Sequence, residues 1–71
     1  MAIEVYAHIT GTVWKIEVQP GANVNEGEVL VILESMKMEM PVEAPSSGTV
    51  REILVSEGQP IAEGAVIAVL E

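Results

Sequence analysis

Three methionines and a lysine crowd one eight-residue stretch, LESMKMEM (33–40). Lys37 lies between Met36 and Met38, with Ser35, Glu34 and Glu39 next to them and Met40 beyond. The whole chain holds two lysines and one arginine against eleven glutamates and no aspartate, so an amine at this spot is a scarce group. A lysine that attacks carbonyls unaided needs burial or a cationic neighbour to shed its proton at neutral pH. The neighbours here are carboxylates, which hold the ammonium, and an ordinary lysine side chain is neutral in only about one molecule in 2,500 at pH 7. Lys37 is therefore unfit to run chemistry unaided; that leaves open a substrate for a separate enzyme that deprotonates and acylates it, and the plainer reading of a solvated charge at a turn. Methionine suits an adaptable contact surface better than a solvated tip. Core packing of Met36 and Met38 is the competing explanation. On a strand-like backbone Met36, Met38 and Met40 would face one way and Ser35, Lys37 and Glu39 the other.

No other constellation carries chemistry. The chain has no cysteine, and its one histidine, His8, reads as a solvated or edge-strand side chain. A metal site would have to combine His8 with scattered glutamates, and none is expected. Glu26 and Glu63 occupy equivalent turn positions, which favours a structural role over an acid–base pair. No catalytic residue is expected, and the chain alone is read as not an enzyme. The formal charge of −8 excludes a nucleic-acid surface and docking on anionic lipid. The longest apolar run, VLVIL (29–33), is too short to span a bilayer. The first residues lack the basic start and long apolar stretch of a signal peptide, so a cytoplasmic address is expected.

The elements that must hold Lys37 come from a duplication. Shifted by 37 residues, GTVWKIEVQPGANVNEGEVLVILE (11–34) falls on GTVREILVSEGQPIAEGAVIAVLE (48–71) without a gap, and 11 of the 24 positions are identical. The offset continues upstream, pairing Val5 with Val42 and Ala7 with Ala44. Residues 1–71 are thus read as one domain of two halves, about 2–34 and 39–71, joined by a hairpin at 35–38. If the halves pack about a pseudo-twofold axis, the link sits at one end and the chain termini at the other. Each half contains β-branched runs and lone apolar residues, Val24 and Ile61, inside Gly-rich loops, which gives four short strands per half. EVLVILE reads as a strand buried on both faces. No window carries a helical period. The alternation slips between Val13 and Ile16 and again between Val50 and Ile53, which predicts a bulge or corner in each half. The glycines are read as positive-φ turn residues. The expected fold is all-β: a flattened barrel or sandwich of two four-stranded antiparallel sheets.

ESMKMEM followed by PVEAPSSGTV resembles the biotin-attachment motif of the biotin carboxyl carrier and biotinyl–lipoyl attachment domains. The resemblance covers essentially the whole chain and implies a barrel-sandwich hybrid with the target lysine in the hairpin between quasi-symmetric halves. By position it makes Lys37 the site of covalent biotin, Met36 and Met38 its recognition neighbours, and Glu34, Ser35 and Glu39 hairpin neighbours. It also implies the partners: a biotin protein ligase that loads the lysine, and biotin carboxylase and carboxyltransferase subunits that the carrier visits. The isolated protein is expected to be monomeric. Many carriers have alanine where Ser35 stands, and the gapless duplication leaves no room for the protruding thumb segment of some bacterial carriers. Carrier subunits usually have an alanine/proline-rich linker ahead of the domain and none is expected here, so the chain is read as resembling a free-standing attachment protein or a domain of a longer carboxylase. Lipoyl carriers share the fold and make lipoate the alternative cofactor, although they typically place an acidic residue before the lysine and a small one after it. An unmodified barrel-sandwich interaction module is the remaining alternative.

Overall fold

Aliphatic, β-branched runs broken by Gly-containing turns leave no stretch for a helix. The computed structural model, which describes residues 2–71, has none among them and hence no helix able to cross a membrane. Eight strands form: β1 (Ile3–Tyr6), β2 (Gly11–Ile16), β3 (Asn23–Val24), β4 (Val29–Ser35), β5 (Met38–Glu43), β6 (Gly48–Ile53), β7 (Pro60–Ile61) and β8 (Val66–Leu70). They make two antiparallel four-stranded sheets, ordered β1-β8-β6-β3 and β5-β4-β2-β7. Adding 37 to the residue numbers of the first half and subtracting 37 from those of the second turns one order into the other. The registers obey the same operation: Ile3 opposite Leu70 becomes Met40 opposite Leu33, and Val50 opposite Leu70 answers Val13 opposite Leu33. Each sheet therefore draws strands from both halves, so neither half closes a sheet alone.

The core follows the duplication. Between the sheets lie Val5 and Val42, Ala7 and Ala44, Val13 and Val50, Val18 and Val55, Val24 and Ile61, Leu30 and Ile67, Val31 and Ala68, and Leu33 and Leu70. Every member of this cluster has its counterpart 37 positions away inside the same cluster. Burying side chains of this size contributes roughly 1.5–3 kcal/mol each for the larger ones, and the cluster is the main force holding a 71-residue chain without disulfides together.

The expected slips in alternation are β-bulges. Trp14 interrupts the β2–β4 register and Arg51 the β6–β8 register, which turns each side chain outward. A second pair of bulges explains the apolar runs. Leu30 in β4 and Ile67 in β8 fall at register shifts, so that Leu30 with Val31, and Ile67 with Ala68, are buried as neighbours. β4 is thus not buried on both faces as its composition suggested: Val29 and Ile32 are only half-buried, and a bulge lets consecutive residues share the inner face. Gly21 (φ 94°) and Gly58 (φ 88°) do adopt left-handed backbone, and from it their amides reach the carbonyls of Val50 and Val13 at 2.7 Å, tying each half to the other.

Candidate functional site

β4 and β5 are antiparallel neighbours joined by two residues. Ser35 pairs with Met38, Glu34 with Glu39 and Leu33 with Met40, which leaves Met36 and Lys37 as the whole turn. Both have positive φ, 52° and 66°, and they are the only described non-glycine residues that do. Two consecutive left-handed residues in a two-residue hairpin define a type I′ turn, whose twist matches that of the flanking strands. Asn-Gly normally fills it. Left-handed backbone disfavours side chains with a Cβ by roughly 1–2 kcal/mol per residue, so the β4–β5 ladder holds Met36 and Lys37 in a conformation their own preferences oppose. The turn also corrects the strand-like alternation expected at the tip. Met36 and Lys37 are corner residues, whereas Ser35 and Met38 lie opposite each other and share a face.

Lys37 is exposed at this corner. Lys15 pairs with Glu17 at 3.6 Å and Arg51 with Glu71 at 3.5 Å, whereas Lys37 makes no ion pair among the described residues. Glu34 and Glu39 are exposed and directly opposite each other one step below the turn, a like-charge pair that the ladder must tolerate. Met36 is 92% exposed and Met38 61%, so neither packs in the core and that explanation of the methionines falls. Met40, opposite buried Leu33, is half-buried. Together with Ser35 and Ile9, the three methionines line a shallow depression of about 180 Å³ beside the lysine.

Two contributors to this end of the molecule escaped the sequence reading. Ile9 sits in the β1–β2 loop and reaches the tip only through the fold; its counterpart is Ser46, so the offset alignment did contain a sign that this position differs between the ends. Gly11 has no positive φ. It is glycine because a Cβ there would run into the carbonyl oxygen of Glu34 and lie 3.3 Å from Cβ of Ser35, at the root of the hairpin. Gly48 meets the Glu71 carbonyl in the same way, its Cβ position 2.6 Å from that oxygen.

The remaining singled-out residues lie elsewhere. His8 is exposed in a wider cleft of about 410 Å³ between the edge strands β1 and β5, with Glu4, Tyr6 and Glu43. The cleft is lined by equivalents from both halves (Glu4 and Pro41, Val5 and Val42, Tyr6 and Glu43, His8 and Pro45), so it straddles the pseudo-twofold axis and is a product of the duplication. Tyr6 donates a hydrogen bond to Glu4 Oε1 at 2.8 Å, and this bond, then the carboxylate charge, then slight burial raise its phenol above the usual value. No group of three or more metal-ligating side chains occurs among the described residues. Glu26 and Glu63 hold equivalent turns, their amides donating to Ser47 Oγ at 3.2 Å and Thr10 Oγ1 at 3.1 Å.

A family described as "Biotin-requiring enzyme" matches residues 1–70. The biotinylated protein TB7.3 homolog of Mycobacterium leprae is 50% identical over 44 residues, 62% of this chain and 62% of that protein. The biotin/lipoyl attachment protein of Bacillus subtilis is 42% identical over 43 residues, 61% of this chain and 59% of its own length. The matched stretches thus span about three fifths of these relatives. The crystal structure of Kluyveromyces lactis urea carboxylase contains the same fold: the match covers 100% of this chain and 6% of that one, with a TM-score of 0.95 and 37% identity. With each sheet built from strands of both halves and the lysine hairpin joining those halves, the chain belongs to the biotin/lipoyl attachment family.

Proposed function

We propose that this protein is a biotin carboxyl carrier in which Lys37 is the covalent attachment point. The observation that carries the proposal is an exposed primary amine, free of carboxylate partners, at the corner of a two-residue turn on a rigid ladder. The residues present fit such a group. A cofactor attached through its carboxyl needs an accessible amine, and a mobile arm needs a fixed root, which strands supply better than a loop. Biotin supplies, when bound, a ureido nitrogen able to hold a carboxyl group.

In this reading Lys37 Nζ, deprotonated by a biotin protein ligase, attacks the acyl carbon of an acyl adenylate. An amide N–C bond forms, the acyl–phosphate bond breaks and AMP leaves. Met36 and Met38 offer apolar contact area on both sides of the amine, and Ser35, Glu34 and Glu39 set the shape and charge of the hairpin below it. The type I′ turn keeps the amine directed away from the sheet. The protein carries out no chemistry itself; it presents its arm to a biotin carboxylase and then to a carboxyltransferase. The match to a segment of urea carboxylase and the biotinylated mycobacterial relative support this assignment. The relative named for both biotin and lipoyl attachment makes lipoate the second candidate for the same amine.

Expression with and without a biotin protein ligase, followed by a streptavidin blot and intact mass, tests the proposal. Wild type should gain one biotin per chain and Lys37→Arg none. A lipoyl adduct without biotin would reassign the cofactor. An unmodified Lys37 in the presence of active ligase would leave an interaction module instead.

A further inference from the structure

We propose that the thioethers of Met36 and Met38 form a hydroperoxide-sensitive modification site that blocks acylation of Lys37. The inference rests on the attachment reading above for its consequence, and on side-chain exposure for its chemistry. The two sulfurs flank the only unpaired Lys or Arg side chain among the described residues, and their side chains stand 92% and 61% exposed. Met40 is partly shielded where β5 lies against Leu33. A sulfur lone pair attacks the distal oxygen of a hydroperoxide; an S–O bond forms as the O–O bond breaks. Sulfur is oxidised by two electrons, the peroxide is reduced, and water or an alcohol departs with the proton.

The product is a polar, chiral sulfoxide where an apolar, flexible contact stood. The depression of Ile9, Ser35, Met36, Met38 and Met40 is an apolar face beside the amine. A partner surface shaped for it leaves the new oxygen without a donor, and one unsatisfied polar group at a contact lowers association about tenfold. The change is reversible by methionine sulfoxide reductase. Oxidation thereby gates loading at the tip and leaves the buried core untouched, because none of the described methionines belongs to that core.

The sequence supplies its own mapping tool. Trypsin cleaves after Lys15, Lys37 and Arg51, so Met36 falls in the 16–37 peptide and Met38 with Met40 in the 38–51 peptide. Purified unloaded protein is treated with limiting hydrogen peroxide, mapped by mass spectrometry, and then offered to ligase with biotin and ATP. Oxygen should appear first on the 16–37 peptide, loading should slow about tenfold, and sulfoxide reductase should restore it. In the Met36→Leu, Met38→Leu double variant, whatever its untreated rate, peroxide should leave the rate unchanged. Equal loading of oxidised and untreated wild type would overturn the gate, as would a double variant slowed just as much by peroxide. Untreated protein that never loads would overturn the attachment reading and the gate together, and the oxidation map would identify that case because it is read without the ligase.

Discussion

The proposed attachment residue is held by a backbone that does not suit it. A two-residue type I′ turn asks for Asn-Gly, yet Met36 and Lys37 occupy it with φ of 52° and 66°. Strain of this kind persists only where the surroundings over-determine the backbone, and it gathers at functional corners. Here the six paired registers of β4 and β5 do the determining. Replacing Met36 with asparagine keeps the left-handed geometry and relieves part of the strain. Met36→Asn is expected to stabilise the protein by about 0.5–1 kcal/mol, read as a higher urea midpoint with an unchanged slope. Loading of Lys37 should meanwhile slow, since the thioether contact is gone. A midpoint equal to or below that of wild type would show that the turn is not strained as described.

At the scale of elements, the duplication makes a controlled comparison possible. Gly11 abuts the Glu34 carbonyl at the root of the lysine hairpin, and Gly48 abuts the Glu71 carbonyl at the equivalent place in the other sheet. Adding a methyl at either forces backbone to give way, so Gly11→Ala and Gly48→Ala should each destabilise by about 1–3 kcal/mol. Only Gly11→Ala should also slow ligase loading below its melting temperature, because only there does the displaced strand carry Lys37. Equal effects on loading would mean that the hairpin root does not position the amine. Much of this architecture was legible in the sequence. The 37-residue offset yields the strands, the two sheets and the bulges at Trp14 and Arg51, because bulges break a period of two that the residues display. Lys37 stands out in the sequence because its neighbours are chemically odd for a tip, and the structure places it exposed in the β4–β5 turn. The left-handed turn was not legible, since neither of its residues is a glycine or asparagine that would announce it. The role of Gly11 was misread because a close approach and a positive φ leave the same mark on a sequence. Ile9 was missed because its contact with the methionines is made across the fold, not along the chain.

The whole molecule adds a field to the tip it builds. Eleven glutamates are spread over both halves and set the net charge at −8. Two of the three Lys and Arg side chains lie in exposed pairs with Glu17 and Glu71, so their charge is locally answered. A body with principal extents of 33 × 17 × 17 Å is only a few screening lengths across, the Debye length being about 8 Å at physiological salt. Negative potential therefore surrounds most of the particle, and Lys37 projects from it as an isolated positive point. A partner that takes up this amine gains on-rate if the surface around its own site is basic. Association with ligase, followed by stopped-flow between low salt and about 0.3 M NaCl, should slow roughly tenfold with little change in dissociation. Reversing a charge far from the turn, as in Glu52→Lys, should flatten that dependence and leave the loaded product unchanged. An association rate indifferent to salt in both proteins would reduce the acidic surface to a solubility device, because a steering field that does not respond to screening is not acting on the encounter.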